Sequence, residues 1–175
     1  MKNIVVVATG GTIAGSADRE EETLSYTSAT LSIDNLIAHI PSVQKIANIS
    51  GEQIVQLDSS DMNPEIWLTL AKRINALLNR DDVNGVVVTH GTDTLEETAY
   101  FLNLVVKSLK PVVVVGAMRP ATALSTDGAK NLYDGVVLAA SDEAGNKGVL
   151  VCMNDTINAS RDVTKTSMML PNAII

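Results

Sequence analysis

The chain has 175 residues, 46% apolar and 19% charged, with a net charge of −7. A chain of that length buries roughly 70% of its unfolded surface, so one domain with a sizeable core is expected and disorder is excluded. The lack of a Lys/Arg cluster, with only one Phe and one Trp, argues against nucleic acid as a partner, and no apolar run approaches the roughly 20 residues of a membrane span.

Residues 2–8 form the first predicted strand, a continuous apolar run of the kind buried on both faces. Met1-Lys2-Asn3 followed by Ile4-Val5-Val6-Val7 faintly resembles a secretory leader, but the apolar run is too short and has no cleavage-like site. The strand ends in Thr9-Gly10-Gly11-Thr12-Ile13-Ala14-Gly15, where adjacent glycines permit a tight turn that presents Thr12. Neither the dinucleotide fingerprint nor the P-loop pattern fits, and the stretch taken alone reads as a glycine turn without chemistry. Residues 16–28 are polar and acidic and read as a mobile surface loop. Tyr26 within it is either a plain surface residue or the tip of a lid over Thr12, and sequence alone favours the surface.

Leu31, Leu36, Ile37 and Ile40 mark a short helix that stops at Pro41, with His39 on its surface. Two short strands, 46–49 and 53–57, flank Ser50-Gly51, and the second ends in Asp58-Ser59-Ser60-Asp61. Asn63-Pro64-Glu65 opens a helix with a capping side chain, a proline at the first position and an acid near the positive end. Ile66, Trp67, Leu70, Ile74, Leu77 and Leu78 give its buried face. A strand at 85–89 then runs into His90-Gly91-Thr92-Asp93-Thr94 and a helix patterned by Leu95, Thr98, Ala99, Leu102, Val105, Val106 and Leu109. Residues 111–115 are a further strong strand. A polar turn through Ser125-Thr126-Asp127-Gly128 leads to a helix carrying Asn131, Leu132, Val136, Val137 and Ala140. The strand at 149–153 holds the lone Cys152, which reads as a buried thiol and leaves no intramolecular disulfide. Asn154-Asp155-Thr156 turns the chain toward Lys165. Strands alternating with helices predict an α/β fold, a three-layer α/β/α domain around a mostly parallel sheet.

Parallel strands put their carboxyl ends on one edge, where open sheets bind ligands. The ends after residues 8, 57 and 90 thus bring Thr9, Thr12, Ser59, Ser60, Thr92 and Asp93 toward one cleft. Two histidines, His39 and His90, are too few for a typical catalytic zinc site, so no metal is expected. His90 abuts the cleft and reads equally well as a structural imidazole. A hydroxyl nucleophile needs an activator and a polarised target. Lys165 is a candidate to ease deprotonation of Thr92 or Thr12, and Asp93 to hold that lysine or a substrate ammonium. The amides after Gly10 and Gly91 are candidates for an oxyanion site. Spacing alone leaves catalysis and simple binding evenly matched.

Thr9-Gly10-Gly11-Thr12-Ile13-Ala14 and the stretch from Gly85 to Leu95 together resemble the two signatures of bacterial-type L-asparaginases. The likeness continues through Glu96-Glu97-Thr98-Ala99-Tyr100-Phe101-Leu102, Gly116-Ala117-Met118-Arg119-Pro120, Asp127-Gly128 with Asn131-Leu132, and Met153-Asn154-Asp155, up to about Thr166. The resemblance implies hydrolysis of L-asparagine to L-aspartate and ammonia, with weaker action on glutamine and no cofactor. It implies Thr12 as nucleophile, Tyr26 as a lid tyrosine beside it, and Thr92, Asp93 and Lys165 as the second catalytic group. Ser59 matches the residue that holds the substrate α-carboxylate, Asp93 also the α-ammonium, and Gly11, Ser60 and Thr92 fall in the same substrate site.

Ser60 stands where secreted-type relatives carry Gln, and residues 58–61 look like the cytoplasmic type, whereas most other matched stretches resemble the secreted type. A bacterial protein, cytoplasmic or in a leader-less periplasmic form, is the expectation. Family members are far longer and carry a smaller C-terminal α/β domain. They form homotetramers in which a neighbouring subunit's C-terminal domain completes each site. Residues 1–166 are therefore expected to be the N-terminal catalytic domain lacking that second domain, with 167–175 an atypical apolar tail where the interdomain linker would begin. The alternative to an active enzyme is a truncated domain that binds aspartate or asparagine without turnover.

Overall fold

The structure is a computed structural model that describes residues 1–167 and 174, so most of the apolar tail at 167–175 lies outside the described residues. Its strands and helices alternate along the chain: β1 (Lys2–Gly10), α1 (Ile33–Ala38), β2 (Ala47–Leu57), α2 (Pro64–Leu78), β3 (Gly85–Thr89), α3 (Leu95–Val105), β4 (Val112–Val115), α4 (Gly128–Ala139), β5 (Val149–Met153) and β6 (Thr156–Ala159). They build one six-stranded sheet in the order β2-β1-β3-β4-β5-β6. The first five strands of that order are parallel and β6 is antiparallel to β5.

Alternation of side chains along valine-rich strands explains the two cores. Val5, Val7, Val86, Val88, Val112 and Val114 pack under α2 and α3, with Leu70, Ile74, Leu77, Leu95 and Leu102. Ile4, Val6, Val87, Val113 and Val115 face the other way, against Ile33 and Leu36 of α1 and Leu132 and Val136 of α4. Each fully buried aliphatic side chain contributes about 1.5–3 kcal/mol, so helices cover both faces of the sheet and hold its carboxyl edge rigid. The three-layer prediction is met. Among the described residues no helix is long and apolar enough to cross a membrane.

The order also fixes where a ligand belongs. The connection after β1 leads to one side of it and the connection after β2 returns to the other, so the topology reverses between β1 and β3. Crevices in open parallel sheets lie at that reversal.

Several local expectations need correction. The predicted pair of strands around Ser50-Gly51 is one continuous β2, with Gly51 paired to Val6. Its lack of a side chain admits α1, since a Cβ there would sit 2.9 Å from Ile33. The helix after the Thr92 turn ends at Val105, and Leu109 is 71% exposed rather than on its buried face. Asn75 of α2 ends it: Asn75 Nδ2 donates to the Val105 carbonyl, and its Oδ1 accepts the Lys107 N–H. Val137, placed on the face of α4, is exposed. Beyond β5 the chain does not simply turn away. Asn154 and Asp155, at φ 52° and 59°, make the two-residue turn of a hairpin and return as β6. The expected start of α2 is observed, with Asn63 Oδ1 accepting N–H groups from Glu65 and Ile66 at 3.1 Å.

Candidate active site

At the β1/β3 reversal lies a cleft of about 150 Å³. Gly11, Thr12, Ser59, Gly91, Thr92 and Asp93 line it, together with Tyr26, Asp58, Met118 and Lys165. The three strand ends anticipated from the sequence therefore do meet.

Close backbone contact brings them together. Gly11 has φ 78°, a left-handed conformation open to glycine, and a Cβ on it would lie 2.3 Å from Gly91 Cα. A Cβ on Gly91 would lie 2.5 Å from Ser59 Oγ. Any side chain at either glycine would push the turns apart. Ser59 then ties its turn to the next: its Oγ accepts the Asp93 N–H at 3.1 Å, and its carbonyl accepts the Thr94 hydroxyl at 2.9 Å. Having accepted from Asp93, the Ser59 hydroxyl keeps its own proton to donate.

Two threonine hydroxyls face the cavity, each with its own partner. Thr12 Oγ1, only 9% exposed, is 2.7 Å from Tyr26 OH. Tyr26 arrives there because Ser16 and Thr27 close the base of its loop with paired backbone hydrogen bonds. It is half-buried over Thr12, so the surface placement favoured by sequence alone is replaced by the lid placement. Opposite, Lys165 Nζ donates to Thr92 Oγ1 at 2.9 Å and to Asp93 Oδ1 at 2.6 Å. The Lys165 side chain is 12% exposed and that of Asp93 45%. This half-shielded ion pair holds a charge against the Thr92 hydroxyl.

Beneath the cleft runs a second polar array centred on the buried Thr9, His90 and Thr98. The Thr9 hydroxyl donates to the Thr89 carbonyl at 3.0 Å and lies 2.6 Å from His90 Nδ1. With its one proton engaged by Thr89, Thr9 must accept from Nδ1–H. His90 Nε2 is then an acceptor, 2.8 Å from the Thr98 hydroxyl, which in turn accepts Trp67 Nε1–H at 2.8 Å. His90 is thus a satisfied neutral imidazole, and its burial lowers the pKa from 6.5 to about 4. Thr9, expected in the cleft, belongs to this array instead. Trp67 is half-buried, stacked on Phe101 at 5.6 Å.

Ser60 is also displaced from expectation. Its side chain is exposed, does not line the cleft, and donates to Asp58 Oδ1 at 3.0 Å. Of the two amides considered for an oxyanion site, Gly11 N–H is engaged by the Leu57 carbonyl at 2.9 Å, which leaves that of Thr92. Among the described residues no group of three or more His, Cys, Asp or Glu is placed to hold a metal. Cys152 is buried, and burial raises its thiol pKa to about 11.

Asp58 and Met118 are lining residues that sequence reasoning did not single out. Asp58 accepts from Ser60 N–H and from the Ser60 and Ser28 hydroxyls. Those bonds, the backbone one foremost, and nearby Lys165 hold its carboxyl below the usual range. Ser28 lies just past Tyr26, so this contact also fastens the lid loop. Met118 is set by Asp127, whose carboxylate accepts the Met118 and Arg119 N–H groups at 3.0 Å. Asn131 braces the same turn, donating to the Gly116 carbonyl at 3.0 Å while its Oδ1 accepts Asn154 N–H at 2.9 Å. The polar spacing of Asp127, Asn131 and Asn154 was the available signal.

Comparison with known proteins identifies the family. The family description "Asparaginase, N-terminal" matches residues 3–174. A probable periplasmic L-asparaginase of Haemophilus influenzae is 57% identical over 95% of this chain and 47% of its own length. A glutaminase-asparaginase of Acinetobacter glutaminasificans is 55% identical over 93% of this chain and 49% of its own. The crystal structure of a probable cytoplasmic L-asparaginase from Campylobacter jejuni superposes with a TM-score of 0.97 at 52% identity, covering 99% of this chain and 53% of that one. The chain thus spans about half the length of the curated relatives it matches. With two threonine-bearing turns facing one cleft at the sheet reversal, and a family match over nearly every residue, the chain belongs to the asparaginase family, in the part described by its N-terminal domain.

Proposed function

We propose that residues 1–166 form the catalytic domain of an amidohydrolase that converts L-asparagine to L-aspartate and ammonia, with weaker action on glutamine. The observation that carries this is the shared cleft: Thr12 with Tyr26 on one wall, Thr92 with Lys165 and Asp93 on the other. The names of the relatives support the chemistry.

Thr12 Oγ attacks the side-chain amide carbon, and Tyr26 carries its proton toward the leaving nitrogen. Ammonia departs and an aspartyl ester remains on Thr12. Thr92, its hydroxyl polarised by Lys165, then assists the water that cleaves the ester to aspartate and returns the threonine. Asp93 receives the α-ammonium, and Ser59, with a proton free to donate, receives the α-carboxylate along the Gly11 backbone. The Thr92 amide is the oxyanion donor.

No single group suffices. Enzymes lower barriers by about 8–23 kcal/mol, whereas one oxyanion donor is worth about 3–4. Orientation within a tight cleft must contribute much of the rest. By the same reading the enzyme acts as a homo-oligomer. Leu24 and Leu124, on the loop of Tyr26 and the loop after Met118, are 69% and 76% exposed and offer apolar surface to a partner.

Ammonia release from L-asparagine, measured beside Thr12→Ala, tests the assignment. Steady turnover that disappears in the variant supports it, and turnover that survives refutes the nucleophile. Saturable calorimetric binding of L-aspartate without ammonia release makes this domain a binding module.

A further inference from the structure

Lys165 lies outside every strand and helix of the sheet, on the segment that follows β6, yet its ammonium must reach Thr92 at a fixed distance. A long flexible side chain on an untethered loop does not do that by itself. Something must hold the main chain from which it springs.

Three features pin that segment. Val163 is buried in the core beneath α3, and Lys165 forms an isolated antiparallel bridge with Ile174. The third is a side chain: the Glu96 carboxylate accepts the Lys165 backbone N–H. Glu96 sits in the first turn of α3, immediately after the turn that carries Thr92 and Asp93. The same rigid unit thus grips Lys165 at two points, Glu96 at its amide and Asp93 with Thr92 at its ammonium. Glu97, its neighbour in the same first turn, is exposed and has no such role.

We propose that Glu96 is a positioning residue: its carboxylate anchors the Lys165 main chain so that the Lys165 ammonium is delivered to Thr92 and Asp93. This rests on the reading of Lys165 as the residue that activates Thr92. Glu96 faces the backbone of Lys165 and is not among the residues that line the cleft.

The test uses this chain with Glu96→Ala, Glu96→Gln and the control Glu97→Ala, with Trp67 fluorescence to confirm folding. Amide hydrogen exchange at Lys165 and the rate at which an acylating reagent labels its ε-amine report the anchor without any assay of turnover. In Glu96→Ala the Lys165 amide exchanges roughly tenfold or more faster, as expected for loss of a bond to a charged acceptor. Labelling of the ε-amine rises with it. The kcat for ammonia release falls roughly ten- to a hundredfold while KM stays within about threefold, because orientation rather than substrate binding is lost. Glu96→Gln, whose amide oxygen can accept the same N–H, restores most of both readouts, and Glu97→Ala changes neither.

Unchanged exchange and labelling at Lys165 in folded Glu96→Ala overturns the proposal. So does a folded Glu96→Gln whose Lys165 amide exchanges as fast as in the alanine variant. If Glu96→Ala fails to fold, the glutamine variant decides: protection near that of the parent supports the anchor, and lost protection overturns it. A parent chain that releases no ammonia would sink the functional reading alone, since exchange and labelling still judge the anchor.

Discussion

Two polar arrays, each built around a pair of threonines, lie one above the other at the sheet's carboxyl edge, and they end in opposite states. In the lower one Thr9, His90, Thr98 and Trp67 join in a chain of hydrogen bonds with a single donor direction, the threonines and the histidine buried and Trp67 half-buried. In the upper one Thr12 and Thr92 meet Tyr26 and Lys165 at the wall of a cavity, with capacity left for a ligand. The difference teaches that a threonine's chemistry is decided by which way its strand end faces. Thr9 and Thr12 are three positions apart and have exchanged solvent for opposite partners. The lower array stiffens the edge and the upper one uses the stiffness.

The comparison breaks most sharply at Thr12. Thr12→Ala is expected to cut ammonia release by at least about a thousandfold, since the proposed nucleophile is lost, while urea unfolding shifts by no more than about 1 kcal/mol. Equal losses of activity and stability would erase the distinction between the arrays.

Acid should strike the lower array first. The His90 pKa is about 4 in the folded chain against an ordinary 6.5, so the unfolded chain takes up the proton earlier as pH falls. This group's contribution is complete above pH 6.5 and is lost progressively toward pH 4, on the order of 3 kcal/mol in all. Denaturation midpoints measured across that window in the parent and in His90→Phe check it. The variant should lack that part of the slope.

Thr98→Val preserves shape but takes from Trp67 Nε1 its acceptor and leaves His90 Nε2 with only the longer 3.3 Å contact to the Thr94 hydroxyl. A loss of about 2 kcal/mol in unfolding free energy is expected, with kcat changed far less than in Thr12→Ala. Ser60→Ala is the mildest change: among the described residues its exposed side chain bonds Asp58 alone, so stability should stay within about 0.5 kcal/mol of the parent and KM for asparagine within about twofold. A large rise in KM would put Ser60 back into the substrate site.

How much of this was written in the sequence depends on the range of the cause. The Asn63-Pro64-Glu65 start of α2, the valine-rich strands and the convergence of the Thr12, Ser59 and Thr92 turns follow from local pattern and the parallel topology. Burial of Thr9 and engagement of the Gly11 amide by Leu57 depend on strand register, including the irregularity between Ala8 and Gly10 against β2, which no local pattern announces. The continuous β2 required α1 to fill the space over Gly51, and the end of α3 required Asn75 from another helix. The β6 hairpin did carry a local sign in Asn154-Asp155. Its polar, exposed strand concealed it, because edge strands lack the apolar run that marks a central one.

The proposed chemistry requires that both threonines serve one shared pocket. A crystal structure of this chain with L-aspartate is predicted to place the side-chain carboxylate within hydrogen-bond reach of both Thr12 Oγ1 and Thr92 Oγ1, the α-ammonium on Asp93 and the α-carboxylate on Ser59. Aspartate bound elsewhere, or seated against one threonine with the other turned away, would contradict it.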